Sequence, residues 1–202
     1  MHFVRIPSQA KARFRIEHAK RFQQAEFTVD FTDIKPLNVQ LEAYEPDPQP
    51  NNPAKAYNDL SSLVDKPAPP LACTSWFNSP ELTLDGLKGK VVVLAFWGGF
   101  ADQGPVFDHI QELRALFELL QGVDDVAIIS VHDSSVDEVM AREYVGKFQV
   151  GFPVGYDTEE GETFKRYATT VMPQTVLLDK EGVIRYFVVD GRLLELIKCL
   201  RR

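Results

Sequence analysis

The chain has 202 residues, 45% hydrophobic and 25% charged, with a formal net charge of -7. This is the composition of a globular protein and excludes collagen-like and disordered classes. The longest unbroken apolar run, Val91 to Trp97, is far shorter than the ~20 residues of a spanning helix, so no transmembrane segment is expected.

The charge is unevenly spread. Residues 46–202 carry 15 basic and 23 acidic side chains, against seven and six in residues 1–45. An acidic body without a Lys/Arg cluster interleaved with aromatics repels a phosphate backbone, so nucleic acid is not an expected partner. Near the start, Arg5, Lys11, Arg13, Arg15, Lys20 and Arg21 precede no apolar stretch, which does not fit a signal peptide. If Met1 is the true start, a cytoplasmic location is expected.

In residues 1–45 apolar and polar residues alternate at period two from Ala12 to Ile16, again from Phe27 to Phe31, and through Val39, Leu41 and Ala43. Three or four antiparallel strands of a small β region, truncated if Met1 is not the true start, are predicted. Residues 46–65 begin a stretch in which seven of the thirteen prolines fall between Pro46 and Pro70, so they are read as a linker. Residues 66–202 form the main domain.

Its punctuation is different. Val91 to Trp97 is apolar on both faces, as in a central strand covered on both sides. From Asp102 the spacing turns helical, with Val106, Phe107, Ile110, Leu113, Leu116, Phe117 and Leu120 on one stripe, Asp102 as N-cap, Pro105 in the first turn and Gly122 at the end. Val126 to Val131 is a second buried strand, and strand, helix, strand in some forty residues is a βαβ unit with a parallel pair. A helix over 136–148, a short one over 164–168, a hairpin of 175–178 with 184–189 around Lys180-Glu181-Gly182, and a closing helix over 193–200 complete an α/β body.

Ligands of such sheets gather where a central strand ends and the next helix begins. That corner reads Phe96-Trp-Gly-Gly-Phe-Ala-Asp-Gln-Gly-Pro105. Together with Lys66-Pro-Ala-Pro-Pro70, Leu82 to Lys90, Tyr167 and Met172-Pro173-Gln-Thr-Val-Leu-Leu-Asp179 followed by Gly182, it resembles the redoxin group of the thioredoxin superfamily, TlpA-like and AhpC/TSA-related proteins above all. The resemblance covers residues 66–202. It implies a thioredoxin-like fold, a central mixed sheet flanked by helices, here preceded by the small β region. It also implies a cis Met172-Pro173 bond facing the corner, and an extracytoplasmic location if Met1 is not the true start.

The sequence departs from the family where the chemistry sits. The positions of the Cys-x-x-Cys pair hold Ala101 and Gly104, so no catalytic residue is assigned there. The residues left to line a binding corner are Phe100, Asp102, Gln103, Met172 and Pro173, with a protein or peptide at the Phe100/Pro173 edge as the partner. Trp97, last in a buried strand, is read as core. The two cysteines, Cys73 and Cys199, are read as small hydrophobes, Cys199 on the stripe of Leu196 and Leu200.

The remaining polar clusters carry little. His132-Asp133-Ser134-Ser135 holds residues of a catalytic triad, yet neighbours on a strand end point to opposite faces, so a helix start capped by Asp133 or Ser135 is expected. Glu159, Glu160 and Glu162 read as a solvated acidic turn, and neither a metal nor a cofactor is expected. The Arg13, Arg15, Lys20 and Arg21 cluster reads as a solvated strand face.

The first expectation is therefore a redox-inactive thioredoxin-like protein in a protein- or peptide-binding or accessory role. Its rival is a thiol–disulfide oxidoreductase or peroxidase using one relocated thiol, Cys73, and a third reading is a decayed paralogue. Thiol reactivity of Cys73 separates the rival from the other two.

Overall fold

The computed structural model describes residues 11–18, 23–30, 42–43, 60–98, 104–188 and 193–201. The chain divides into two compact units, Met1–Glu45 and Pro46–Arg202. In the first, β1 (Lys11–His18) pairs antiparallel with β2 (Gln23–Asp30), and β2 with the two-residue β3 (Glu42–Ala43). The register sets Phe14 opposite Phe27 and Ile16 opposite Ala25. The matching alternation of both segments makes that pairing consistent across the strands. The Lys20 and Arg21 end of the basic cluster and the expected strand residues Phe31, Val39 and Leu41 lie outside the described residues.

The second unit is a six-stranded mixed sheet in the order β4-β7-β6-β5-β8-β9. Its centre is β5 (Val91–Trp97), parallel to β6 (Val126–His132) on one side and antiparallel to β8 (Gln174–Leu178) on the other. Every residue of β5 is buried, and the period of two divides them between two cores. Val91, Val93, Ala95 and Trp97 face α1 (Pro105–Leu119), α2 (Glu138–Lys147) and α4 (Leu193–Leu200); Val92, Leu94 and Phe96 join Leu60, Tyr167 and Phe164 of α3 (Glu162–Arg166). Each such Val, Leu or Phe contributes about 1.5–3 kcal/mol by leaving water, which is why a run apolar on both faces settles in the middle of the sheet.

β8 turns into β9 (Ile184–Val188) through Gly182, whose φ of 80° suits glycine. Asp179 fixes that turn by accepting the backbone N–H groups of Glu181 and Val183. The edge strand β4 (Ser75–Phe77) and its neighbour β7 (Val154–Tyr156) have no counterpart among the sequence expectations. At three residues each they are too short to show a period, and β7 contains Gly155.

Four local expectations are corrected. Helix α1 begins at Pro105 with Gly104 as its N-cap, not at Asp102: Gly104 sits at φ 92°, ψ -173°, where the chain leaves the loop before the first helical residue. Helix α2 is capped by neither Asp133 nor Ser135 but by Asp137, whose side chain accepts from the Met140 N–H at 2.8 Å. The short helix lies two residues earlier than expected, because the buried carboxylate of Asp157 accepts the N–H groups of Thr163 and Phe164 and anchors its first turn. His132 and Asp133 do meet, as described below.

Candidate functional site

The corner at the end of β5 is built from buried polar contacts. Trp97 is fully buried, as expected, and its indole donates to Ser130 Oγ at 3.0 Å. The ring packs edge-on against His132, centroids 4.7 Å apart. His132 lies directly across from Trp97 in the β5–β6 register. Its Nδ1 is 2.7 Å from the Asp133 carbonyl oxygen and 3.3 Å from Asp133 Oδ1. The ring folds back over its own neighbour, so strand alternation does not keep the pair apart. Burial lowers the His132 pKa while the carbonyl and carboxylate of Asp133 oppose it.

On α1, His109 reaches across to β8, its Nε2 2.7 Å from Thr175 Oγ1. Burial lowers its pKa to about 4, so the ring is neutral and the contact is an uncharged hydrogen bond. The Met172-Pro173 bond is cis, as the family resemblance implies. Of the five residues expected to line the corner, Met172 and Pro173 are described and half-buried; Phe100, Asp102 and Gln103, with Ala101, lie outside the described residues. No thiol stands at Gly104. Among the described residues no group of three or more His, Cys, Asp or Glu side chains is placed to hold a metal ion.

A thiol is found elsewhere. Cys73 lies just before β4, on a segment tied to α3 and the residue after it. Tyr167 donates to the Pro69 carbonyl at 2.7 Å, Arg166 to the Pro70 carbonyl at 2.9 Å, and the Ala72 N–H to Thr163 Oγ1 at 2.9 Å. These contacts set Cys73 against β7 at Gly155. A Cβ on Gly155 would overlap Cys73 Sγ and stand 3.1 Å from Cys73 Cβ. The missing side chain thus makes the space the sulfur occupies.

Cys73 also lines a cavity of about 400 Å³ with Pro70, Leu71, Trp76, Glu81 and Asp85 among its walls. Cys73 and Cys199 are both partly exposed and neither is in a disulfide; Cys73 packs against the cluster of Leu60, Val92 and Phe96, in keeping with its reading as a small hydrophobe. Burial, then the Asp157 carboxylate, push the Cys73 thiol up to about 12, with Glu81 adding to the shift and a hydrogen bond from the Thr163 hydroxyl opposing it. A second opening of about 330 Å³, between Leu82, Phe117 and Pro153, has no thiol or titratable side chain among the described residues that line it.

Sheet order and flanking helices define the class: a thioredoxin-like protein. The Redoxin family model matches residues 64–192, and the chain belongs to that family. Among solved structures it is similar to a thioredoxin-like superfamily protein, 27% identical, TM-score 0.58, covering 67% of this chain and 97% of that one. It is also similar in fold to a thiol-disulfide isomerase from Corynebacterium glutamicum, 24% identical, TM-score 0.56, with the same coverage of both chains.

Two curated relatives are each named thiol-disulfide oxidoreductase ResA. That of Bacillus thuringiensis subsp. konkukian is 27% identical over 123 residues, 60% of this chain and 66% of the relative. That of Bacillus subtilis is 30% identical over 119 residues, 58% and 63%. The match spans less than two thirds of either relative. These names overturn the expectation of a redox-inactive binding or accessory protein and favour its rival, a thiol-dependent oxidoreductase. That expectation rested on Ala101 and Gly104 alone, and the loss of thiols at one corner does not remove the thiol at Cys73. No helix among the described residues is long and apolar enough to cross a membrane.

Proposed function

We propose that this chain is a single-thiol oxidoreductase that carries out thiol–disulfide exchange through Cys73. The observation that carries the proposal is a free cysteine, Cys73, on the wall of a cavity large enough for a small ligand, in a chain whose relatives are named for this chemistry.

The reaction has two balanced halves. Solvent base removes the Cys73 proton, and the thiolate sulfur attacks one sulfur of a disulfide substrate. The substrate S–S bond breaks, its other sulfur leaves as a thiolate that takes up a proton, and Cys73 holds a mixed disulfide. A second thiol, from a small thiol or from the substrate itself, then attacks the substrate-side sulfur and returns Cys73 to its reduced form. Thr163 is the positioning residue: its hydroxyl hydrogen-bonds the sulfur and favours the thiolate.

The high Cys73 pKa makes exchange slow at neutral pH and steeply faster as pH rises. Mass spectrometry after treatment with hydroxyethyl disulfide tests the proposal. One adduct is expected at Cys73, forming about tenfold faster per pH unit between pH 7 and 10, because each unit raises the thiolate fraction tenfold. Cys73→Ser abolishes it and Cys199→Ser leaves it. Absence of an adduct at Cys73, or exchange unchanged in Cys73→Ser, overturns the proposal.

A further inference from the structure

We infer that the Cys73 cavity selects small disulfides whose substituents carry positive charge, aminothiol disulfides rather than carboxylate-bearing ones. This rests on the single-thiol reading above and adds the substrate class.

Four observations converge on it. The volume of about 400 Å³ suits a small molecule, not a folded partner. Apolar walls, among them Pro70, Leu71 and Leu84, fit short methylene chains, and Trp76 adds an aromatic surface that attracts an ammonium group. Among the described residues the charged ones lining the cavity are Glu81 and Asp85, both exposed, and no Lys, Arg or His lines it. A third carboxylate, that of the buried Asp157, acts on the thiol from the protein side.

The nearby cations are already engaged. Lys88 pairs with Asp85 at 2.6 Å, so Asp85 is largely matched. Arg166 pairs with Glu162 at 2.6 Å while donating to the Pro70 carbonyl. Among the described residues Glu81 has no ion-pair partner. A glutathione-type disulfide would bring carboxylates against Glu81, whereas an aminothiol disulfide brings an ammonium group to it. In the exchange, Cys73 sulfur bonds to one aminothiol sulfur and the S–S bond breaks. The second aminothiol leaves with a proton, and the mixed disulfide retains the ammonium near Glu81.

The test uses the full chain with Cys199→Ser and measures Cys73 adduct formation by mass spectrometry with cystamine, hydroxyethyl disulfide and oxidised glutathione. Each rate is divided by that of the same reagent with a free thiol in the same buffer. The normalised rates should fall in the order cationic, neutral, anionic, with cystamine at least tenfold above oxidised glutathione. Glu81→Gln should narrow that ratio about threefold, and raising the salt to 0.5 M should narrow it likewise, as for one partly screened carboxylate near the site. Equal normalised rates for the three reagents, or a ratio unmoved by both Glu81→Gln and salt, overturn the inference while leaving the single-thiol function standing. Failure of even the neutral reagent to modify Cys73 overturns both.

Discussion

Two glycines use the same missing Cβ for different ends. Gly104 occupies a backbone region, φ 92° with ψ near 180°, that is essentially closed to other residues, although nothing lies within 4 Å of where its Cβ would be. The cost of a side chain there is conformational: Gly104→Ala or Gly104→Cys should destabilise by about 1–3 kcal/mol in urea titration. The family's second thiol position therefore cannot be refilled by substitution at Gly104 alone without strain at the helix start. Helix propensity by itself favours alanine or cysteine over glycine, so the sequence conceals this, because Gly104 lies before the helix and not in it. Gly155 has an ordinary backbone, and the obstacle is Cys73. Gly155→Ala should cost about 1–3 kcal/mol as an overpacking change and displace the sulfur. Its second signature is an altered rate of Cys73 modification, whereas Gly104→Ala should leave that rate unchanged.

At the scale of elements, what could be read in the sequence depended on length and pattern. Strand β5, the stripe of α1 and helix α4 were legible because a long run repeats its period several times, and because burial on both faces of β5 leaves no polar interruption. Strands β4 and β7 were not, since three residues carry no period, yet they close the sheet edge beside Cys73. The candidate site was legible only as a lost one. The corner after β5 announces itself by motif, whereas the thiol at Cys73 gains meaning from contacts across about 80 to 90 residues of chain, to Gly155 and Thr163. Caps are a second case. Asp133 or Ser135 is the expected N-cap of α2, and the backbone decides for Asp137 instead: it is extended at φ -69°, ψ 163° and its carboxylate reaches the Met140 N–H. Asp137→Ala should destabilise by about 1 kcal/mol and Ser135→Ala by much less, by thermal denaturation at neutral pH.

For the whole molecule, two histidines, His132 buried and His109 half-buried, set how stability responds to pH. His109 joins α1 to β8 and His132 joins β5 to β6, so both lie between elements that unfolding separates. Burial lowers both folded-state pKa values, that of His109 to about 4. The unfolded chain, with histidine near 6.5, thus binds more protons than the native state between pH 6.5 and 4, and stability in that window rises with pH. The contribution is fully present above 6.5 and is lost as pH falls toward 4. For His109 a difference of this size corresponds to about 3 kcal/mol as an order of magnitude. The paired carboxylates act in a lower window. Asp125, hydrogen-bonded to Arg201, and Asp179, bonded to backbone N–H groups and Arg185, have lowered pKa values, so their contribution is lost only below the usual carboxylate range. The two windows predict a stability curve that already falls between pH 6.5 and 4.5, before the carboxylates titrate. His109→Gln removes the titration while an amide can still hydrogen-bond Thr175. In urea titrations at pH 7 and 5 it should cut the stability difference by about 1.8 kcal/mol. An unaltered difference in that variant would mean that His109 binds its proton as readily in the folded chain as in the unfolded one, contrary to the burial that separates α1 from solvent at that point.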